Sequence, residues 1–205
     1  MTSPLLDWIW RLQAIAQSGL TYAPGEYDRQ RYEQIRALAA EMATHPGGDV
    51  ESVRSVFSSM TGYATPLIIC RAAVFDGEDR ILMVRETADG RWTLPGGWID
   101  VGDSPSGATE REVLEETGYR VSVSKLAAVF DKRKHAHPPA PHHAYLMFFI
   151  AHLQGGSPAT SIETSEIGWF GADELPELST GRATRPQIMR MWDHHRDPAL
   201  ATDFD

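Results

Sequence analysis

Three glutamates, Glu112, Glu115 and Glu116, fall in the nine residues REVLEETGY, with Arg111 beside them. Residues three and four apart on a helix share a face, so Glu112 neighbours both of the others. Each such like-charge pair costs an isolated helix about 0.2–0.5 kcal/mol. Crowded carboxylates suit one chemistry in particular, the holding of a hard divalent cation, Mg²⁺ or Mn²⁺, through oxygen. The competing reading is a solvated acidic face, and the three glutamates alone do not separate the two.

The flanks say what positions these side chains. Ser104-Pro105 predicts a helix start, with serine as cap and proline at the first helical position, and Gly118 predicts its stop. Ala108, Val113 and Leu114 form no clean apolar stripe, so amphipathic packing does not explain the pattern. Before the helix runs LPGGWIDVGD, a glycine-rich loop with two more acids, Asp100 and Asp103. Gly96 and Gly97 allow backbone to approach a ligand closely. A loop of this kind, followed by an acidic helix, favours the cation site.

Around this unit the chain predicts mixed strands with few helices. PLIICRAAVF and ILMVRE, separated by DGEDR, suggest a hairpin. VSVSKLAAVF and AYLMFFIAHL are two further strands, and KRKHAHPPAPHH between them is too proline-rich for regular structure. SEIGWF is a short strand, and RPQIMRMWDHHR is a closing helix with Pro186 in its first turn and His194 and His195 on its surface. The tail DPALATDFD is expected to fray. The first 60 or so residues read as three short helices. LLDWIWRLQAIAQSG is ended by Gly19, YDRQRYEQIRALAAEMA is stopped by His45-Pro46-Gly47-Gly48, and DVESVRSVFSSM is capped by Asp49. The division expected is 1–64, a helical domain whose apolar faces need a partner, and 65–205, an α/β sandwich.

The totals limit the function. The chain has 205 residues and a net charge of −9, from 19 Lys and Arg against 28 Asp and Glu. No basic stripe offsets that charge, so nucleic acid is a disfavoured partner. No apolar run reaches the length of a membrane span, and the N-terminus lacks the features of a signal peptide. The single cysteine, Cys70, lies in an apolar run and reads as a buried thiol. These features together predict the cytoplasm. An acidic protein that handles phosphate needs local positive charge, which a bound cation would supply.

Gly97, five residues, Asp103, seven residues and then REVLEETGY resembles the Nudix box, G-x5-E-x7-R-E-U-x-E-E-x-G-U, with Asp103 in place of the family's glutamate. The resemblance implies a Nudix-type α/β/α sandwich with a mixed β-sheet, plus the small N-terminal helical domain. It implies Mg²⁺-dependent hydrolysis of a nucleoside diphosphate linked to a moiety X, with Mn²⁺ a possible substitute. Carried over by position, Glu112, Glu115 and Glu116 are metal ligands, the Gly96 carbonyl is a backbone ligand, and Arg111 orients the glutamates and pairs with Asp103. Asp103 is one methylene shorter than glutamate, which puts that pairing in question. A general base can come from outside the box. Glu163 and Glu166 in SIETSEIGWF are candidates, against the reading of Glu166 as an exposed strand-end charge.

The N-terminal helices, AVFDKRKHAHPPAP, FFIAHLQGG and ETSEIGWFGADELPELS resemble a Nudix subgroup that includes CDP-choline pyrophosphatases and many relatives called ADP-ribose pyrophosphatases. This implies a homodimer through the helical domain and CDP-choline as first substrate, with ADP-ribose second. A non-hydrolytic nucleotide sensor and an RNA-processing enzyme are the other readings. Lys132, Arg133 and Lys134 are the densest basic cluster, and with His135 and His137 they are candidates to grip the substrate. His135, His137, His142 and His143 lack a spacing diagnostic of Zn²⁺. Trp98, Phe130 and Tyr145 are candidates to stack on a base, and Trp92 reads as packing.

Overall fold

A computed structural model describes residues 4–44, 49–140 and 142–205. It divides into two compact units, Met1–Pro66 with Pro139–His143, and Leu67–Pro138 with Ala144–Asp205. The His45-Pro46-Gly47-Gly48 stop lies outside the described residues.

The first unit holds α1 (Pro4–Tyr22), α2 (Glu26–Thr44) and α3 (Val50–Ser59). Its core is Ile9, Ala39, Ala40 and Phe57. Asp49 caps α3 by accepting from the Glu51 and Ser52 amides. Gly19 does not end α1, as the sequence suggests. The helix runs on to Tyr22, and a Cβ at Gly19 would stand 2.3 Å from the Tyr32 ring. The glycine is therefore needed for close packing of α1 on α2. Leu5, Trp8, Ile15 and Tyr22 along α1 remain exposed.

The second unit has two sheets. The first, in the order β1-β5-β4-β7, consists of β1 (Leu67–Val74), β5 (Ala144–Gly156), β4 (Tyr119–Asp131) and β7 (Asp203–Phe204). The second, β3-β2-β6, consists of β3 (Trp92–Thr93), β2 (Ile81–Glu86) and β6 (Thr164–Phe170). The expected hairpin of β1 and β2 is absent. β1 pairs parallel with β5, β2 pairs antiparallel with β3 and β6, and only a bridge at Phe75 and Ile81 links the two. Both strands are buried on both faces, so each needs neighbours in its own sheet, and the Asp76 turn carries the chain between sheets. Helix α4 (Pro105–Thr117) lays Ala108 and Val113 against the first sheet, and α5 (Arg185–Arg196) packs Ile188, Met191 and Trp192 into the largest core cluster. The result is a mixed α/β fold with appended N-terminal helices. Among the described residues no helix is long and apolar enough to cross a membrane.

The tail does not fray. β7 pairs parallel with β4, and Thr202 donates to the Leu126 carbonyl. Asp203 accepts from Arg190 at 2.5 Å and lies 3.1 Å from His194, which is buried rather than on the surface. His195 stacks on Phe75 at 4.0 Å between ring centres. These charged contacts hold a segment whose own sequence has little propensity. Asp203→Ala is expected to lower the melting temperature by a few degrees, since a partly exposed charged hydrogen bond of this kind contributes about 1–2 kcal/mol. A variant that melts like the wild type would show the tail to be held elsewhere.

Candidate active site

Helix α4 begins and ends where its sequence says. The Ser104 hydroxyl accepts from the Gly107 amide at 3.1 Å, and Gly118 closes the helix at φ 72°. This fixes the glutamates against the loop before the helix. The Gly96 amide donates to Glu116 Oε2 at 2.8 Å. A Cβ on the next residue, Gly97, would stand 2.7 Å from Glu112 Oε2. Two consecutive loop residues therefore meet two of the carboxylates. Gly96 itself sits at φ 139°, with the Cys70 carbonyl 2.3 Å from where its Cβ would be, so only glycine fits.

The three glutamates are not equivalent. Glu116 is 5% exposed. Burial is the main cause that pushes its carboxyl up to about 7; Arg71 and the Gly96 amide pull the other way, and Glu86 and Glu112 add to the rise. Burial also raises Glu112, against the opposing charge of Arg111. Glu115 is exposed and bonds Arg111 at 3.1 Å. Arg111 also lies 2.8 Å from Glu112 and 3.2 Å from Asp103, with Asp100 at 3.7 Å. The shorter Asp103 side chain thus still reaches the arginine.

A divalent cation can be held here by Glu112 and Glu116, with Glu115 at the edge. The donor set is hard oxygen, it is partly desolvated, and the space over Gly97 is one that a side chain would close. Among the described residues no three His, Cys, Asp or Glu side chains form a complete cage. That suits an ion bound by one or two carboxylates together with substrate phosphates. The Gly96 carbonyl has a different partner from the one expected: it accepts a short hydrogen bond from Arg71 Nη1. Gly97→Ala would push the Glu112 carboxylate aside. The expected result is about a tenfold rise in the Mg²⁺ needed for half-maximal hydrolysis, with the melting temperature little changed. An unchanged Mg²⁺ requirement would remove Glu112 from the ion.

Behind the glutamates lies a charged layer that motif spacing does not reveal. Arg71 on β1 is 5% exposed and also donates to the Leu94 carbonyl at 3.2 Å. Glu86, at the end of β2, is buried and pairs with Arg182 at 2.8 Å. Burial raises its carboxyl, opposed by Arg182 and Arg71. The available signal was a charge inside an apolar run: Arg71 interrupts PLIICRAAVF and Glu86 ends ILMVRE.

The remaining candidates are dispersed. Glu166 pairs with Arg85 at 2.5 Å, and neighbouring strand residues face opposite ways, so it lies across β2 from Glu86. Glu163 lies close enough to Glu86 to raise its carboxyl further. In the basic stretch, Arg133 bonds Asp131 at 2.9 Å, Lys134 is exposed, His135 is 3.2 Å from Asp205, and His137 donates to the Thr180 carbonyl at 2.7 Å. Burial is the main cause that lowers His137 to about 4, so its ring is neutral. Lys132 is half-buried. Phe130 is core, Trp92 packs edge-on to Phe170, and Trp98 and Tyr145 are partly exposed.

Comparison with known proteins agrees with this geometry. Residues 67–191 match the model of the NUDIX domain, and residues 3–57 match one described as a UDP-X-like, N-terminal oligomerisation domain. YjhB of Bacillus subtilis (strain 168), provisionally named an ADP-ribose pyrophosphatase, is 42% identical over 98% of this chain and 96% of its own. A solved UDP-X diphosphatase is 32% identical, covers 98% of both chains and superposes with a TM-score of 0.64. An ADP-ribose pyrophosphatase from Streptococcus suis is 36% identical over 69% of this chain and all of its own, also with a TM-score of 0.64. Nudix hydrolases generally use divalent metal ions. With the box, its loop and the sandwich all in place, the chain belongs to the Nudix family and is a pyrophosphohydrolase.

Proposed function

We propose that this protein hydrolyses, with Mg²⁺, the phosphoanhydride of a nucleoside diphosphate linked to a moiety X, giving a nucleoside monophosphate and a phosphorylated X. One observation carries the reading: Glu112 and Glu116 are drawn out of water onto adjacent glycines, and burial holds the Glu116 carboxyl near neutral pH. Such a pair is stabilised by a divalent ion, and Mn²⁺ would serve in its place. When bound, the ion neutralises phosphate oxygens and lowers the pKa of the attacking water. Arg111 keeps the glutamates oriented. Gly96 fixes Glu116 through its amide. Proton acceptance belongs to a carboxylate near this cluster, and Glu163 has better support than Glu166 because it faces Glu86.

The sequence resemblance put CDP-choline first and ADP-ribose second. Relatives that match nearly the whole chain carry ADP-ribose and UDP-X names, which moves those two substrates forward. A homodimer through the helical unit is supported by the exposed Leu5, Trp8, Ile15 and Tyr22 of α1 and by the description of the N-terminal match. The test is product analysis with Mg²⁺ on CDP-choline, ADP-ribose, a UDP-sugar, NADH, a nucleoside triphosphate and a diadenosine polyphosphate. Cleavage of one diphosphate substrate into two phosphomonoesters names X. Binding without cleavage of any of them would replace the enzyme by a sensor.

A further inference from the structure

We propose that Lys132 and Arg182, backed by Arg71, form a phosphate subsite that takes one phosphate of the substrate. The idea rests on the proposed reading for the identity of the ligand, but the anion site itself stands on the following observations.

Of the five basic groups expected to grip substrate, four are engaged or turned away. Arg133 and His135 are held by carboxylates, His137 is neutral and bonded to backbone, and Lys134 is exposed beside a separate 210 Å³ cavity with Tyr145 and Phe204. Lys132 differs. It is half-buried, and among the described residues no carboxylate lies within ion-pair distance of it. The charges it meets are both positive. Burial first, then Arg71, then Arg182, disfavours its charged form.

The two arginines are only partly compensated. Arg182 pairs with Glu86 at 2.8 Å and Asp89 at 3.5 Å. Arg71 faces Glu116 and Glu86, and its buried Nε has no hydrogen-bond partner. Lys132, Arg71 and Arg182 therefore confront two buried carboxylates, Glu86 and Glu116. A divalent ion held by Glu116 would leave Arg71 with still less compensation. A half-buried lysine facing two arginines costs the free protein stability, and an entering anion removes that cost. Arg71 joins the two regions, since its Nη1 bonds the Gly96 carbonyl of the glutamate loop while its charge is felt at Lys132. A diphosphate can thus meet the glutamates on one side of Arg71 and Lys132 on the other.

The test is calorimetric binding of inorganic pyrophosphate in EDTA at low salt, to wild type, Lys132→Met and Lys132→Arg. Wild type binds. Lys132→Met weakens binding about tenfold or more, and Lys132→Arg keeps most of it, as expected for a charge-assisted contact. Without pyrophosphate, Lys132→Met melts at or above the wild-type temperature, because an unpaired cation has been removed. Three outcomes overturn the subsite: no metal-free pyrophosphate binding by wild type, undiminished binding by Lys132→Met, or a Lys132→Met protein that melts well below wild type or fails to fold. None of these depends on turnover, so wild type that cleaves its substrate but ignores pyrophosphate loses the subsite and keeps the proposed function.

Discussion

Glu116→Gln abolishes hydrolysis and, in the absence of metal, makes the protein more stable. The loss of turnover is expected to reach about a thousandfold, since a catalytic divalent ion contributes several kcal/mol. The gain in stability follows from burial. The carboxyl has its folded pKa raised from 4.5 to about 7, so the stability it confers is fully present below the lower value and lost as pH rises through the upper one. Above pH 7 the ionised side chain costs the metal-free fold up to about 3 kcal/mol. Glutamine cannot ionise and still accepts from the Gly96 amide. In EDTA at pH 8 the variant should therefore melt several degrees above wild type, and the gap should close near pH 4.5. His137 has the opposite sign: it is lowered from 6.5 to about 4, so its contribution is present above the first value and lost as pH falls through the second. The difference between wild type and variant isolates Glu116 from it. Equal melting at pH 8 would mean that Glu116 is solvated, and the cation site would lose its main support.

Arg71→Met is expected to damage the fold as well as the site. Arg71 holds the Leu94 and Gly96 carbonyls and offsets Glu116 and Glu86. Removing one member of a buried charged group costs about 3–5 kcal/mol, because the charges left behind stay buried without compensation. For a chain of this size that lowers the melting temperature by about 10 °C. Residual activity should be low even where the protein is folded, since the Gly96 loop loses the contact that fixes it. Arg71→Lys restores the charge but not the two-carbonyl geometry, and it should recover stability better than activity. Calorimetric melting of the two variants checks this. Arg71→Met that melts like wild type would reduce Arg71 to a passive core residue.

The local units were legible because their signals are short-range. Ser104 and Gly118 bound α4, Asp49 caps α3, and the strands from Leu67 to Phe170 follow their apolar runs. The Nudix family likewise follows from the fixed spacing of Gly97, Arg111, Glu112, Glu115 and Glu116. Where the reading failed, the deciding contacts were remote. Gly19 looked like a stop because its packing against Tyr32 cannot be seen in α1 alone. β1 and β2 looked like a hairpin because adjacency in sequence says nothing about which sheet each strand joins. The tail looked loose because Arg190, His194 and Leu126 hold it from elsewhere.

The sequence by itself therefore determined the acidic helix, its caps, its glycine loop and the family they belong to. All of these depend on residues within about twenty positions of one another. Only the tertiary structure decided which glutamates are buried, that Arg71, Glu86 and Arg182 stand behind them, and that Lys132 is left facing cations. Burial and long-range charge pairing depend on which strands meet, and Glu86 and Arg182 are 96 positions apart yet in direct contact.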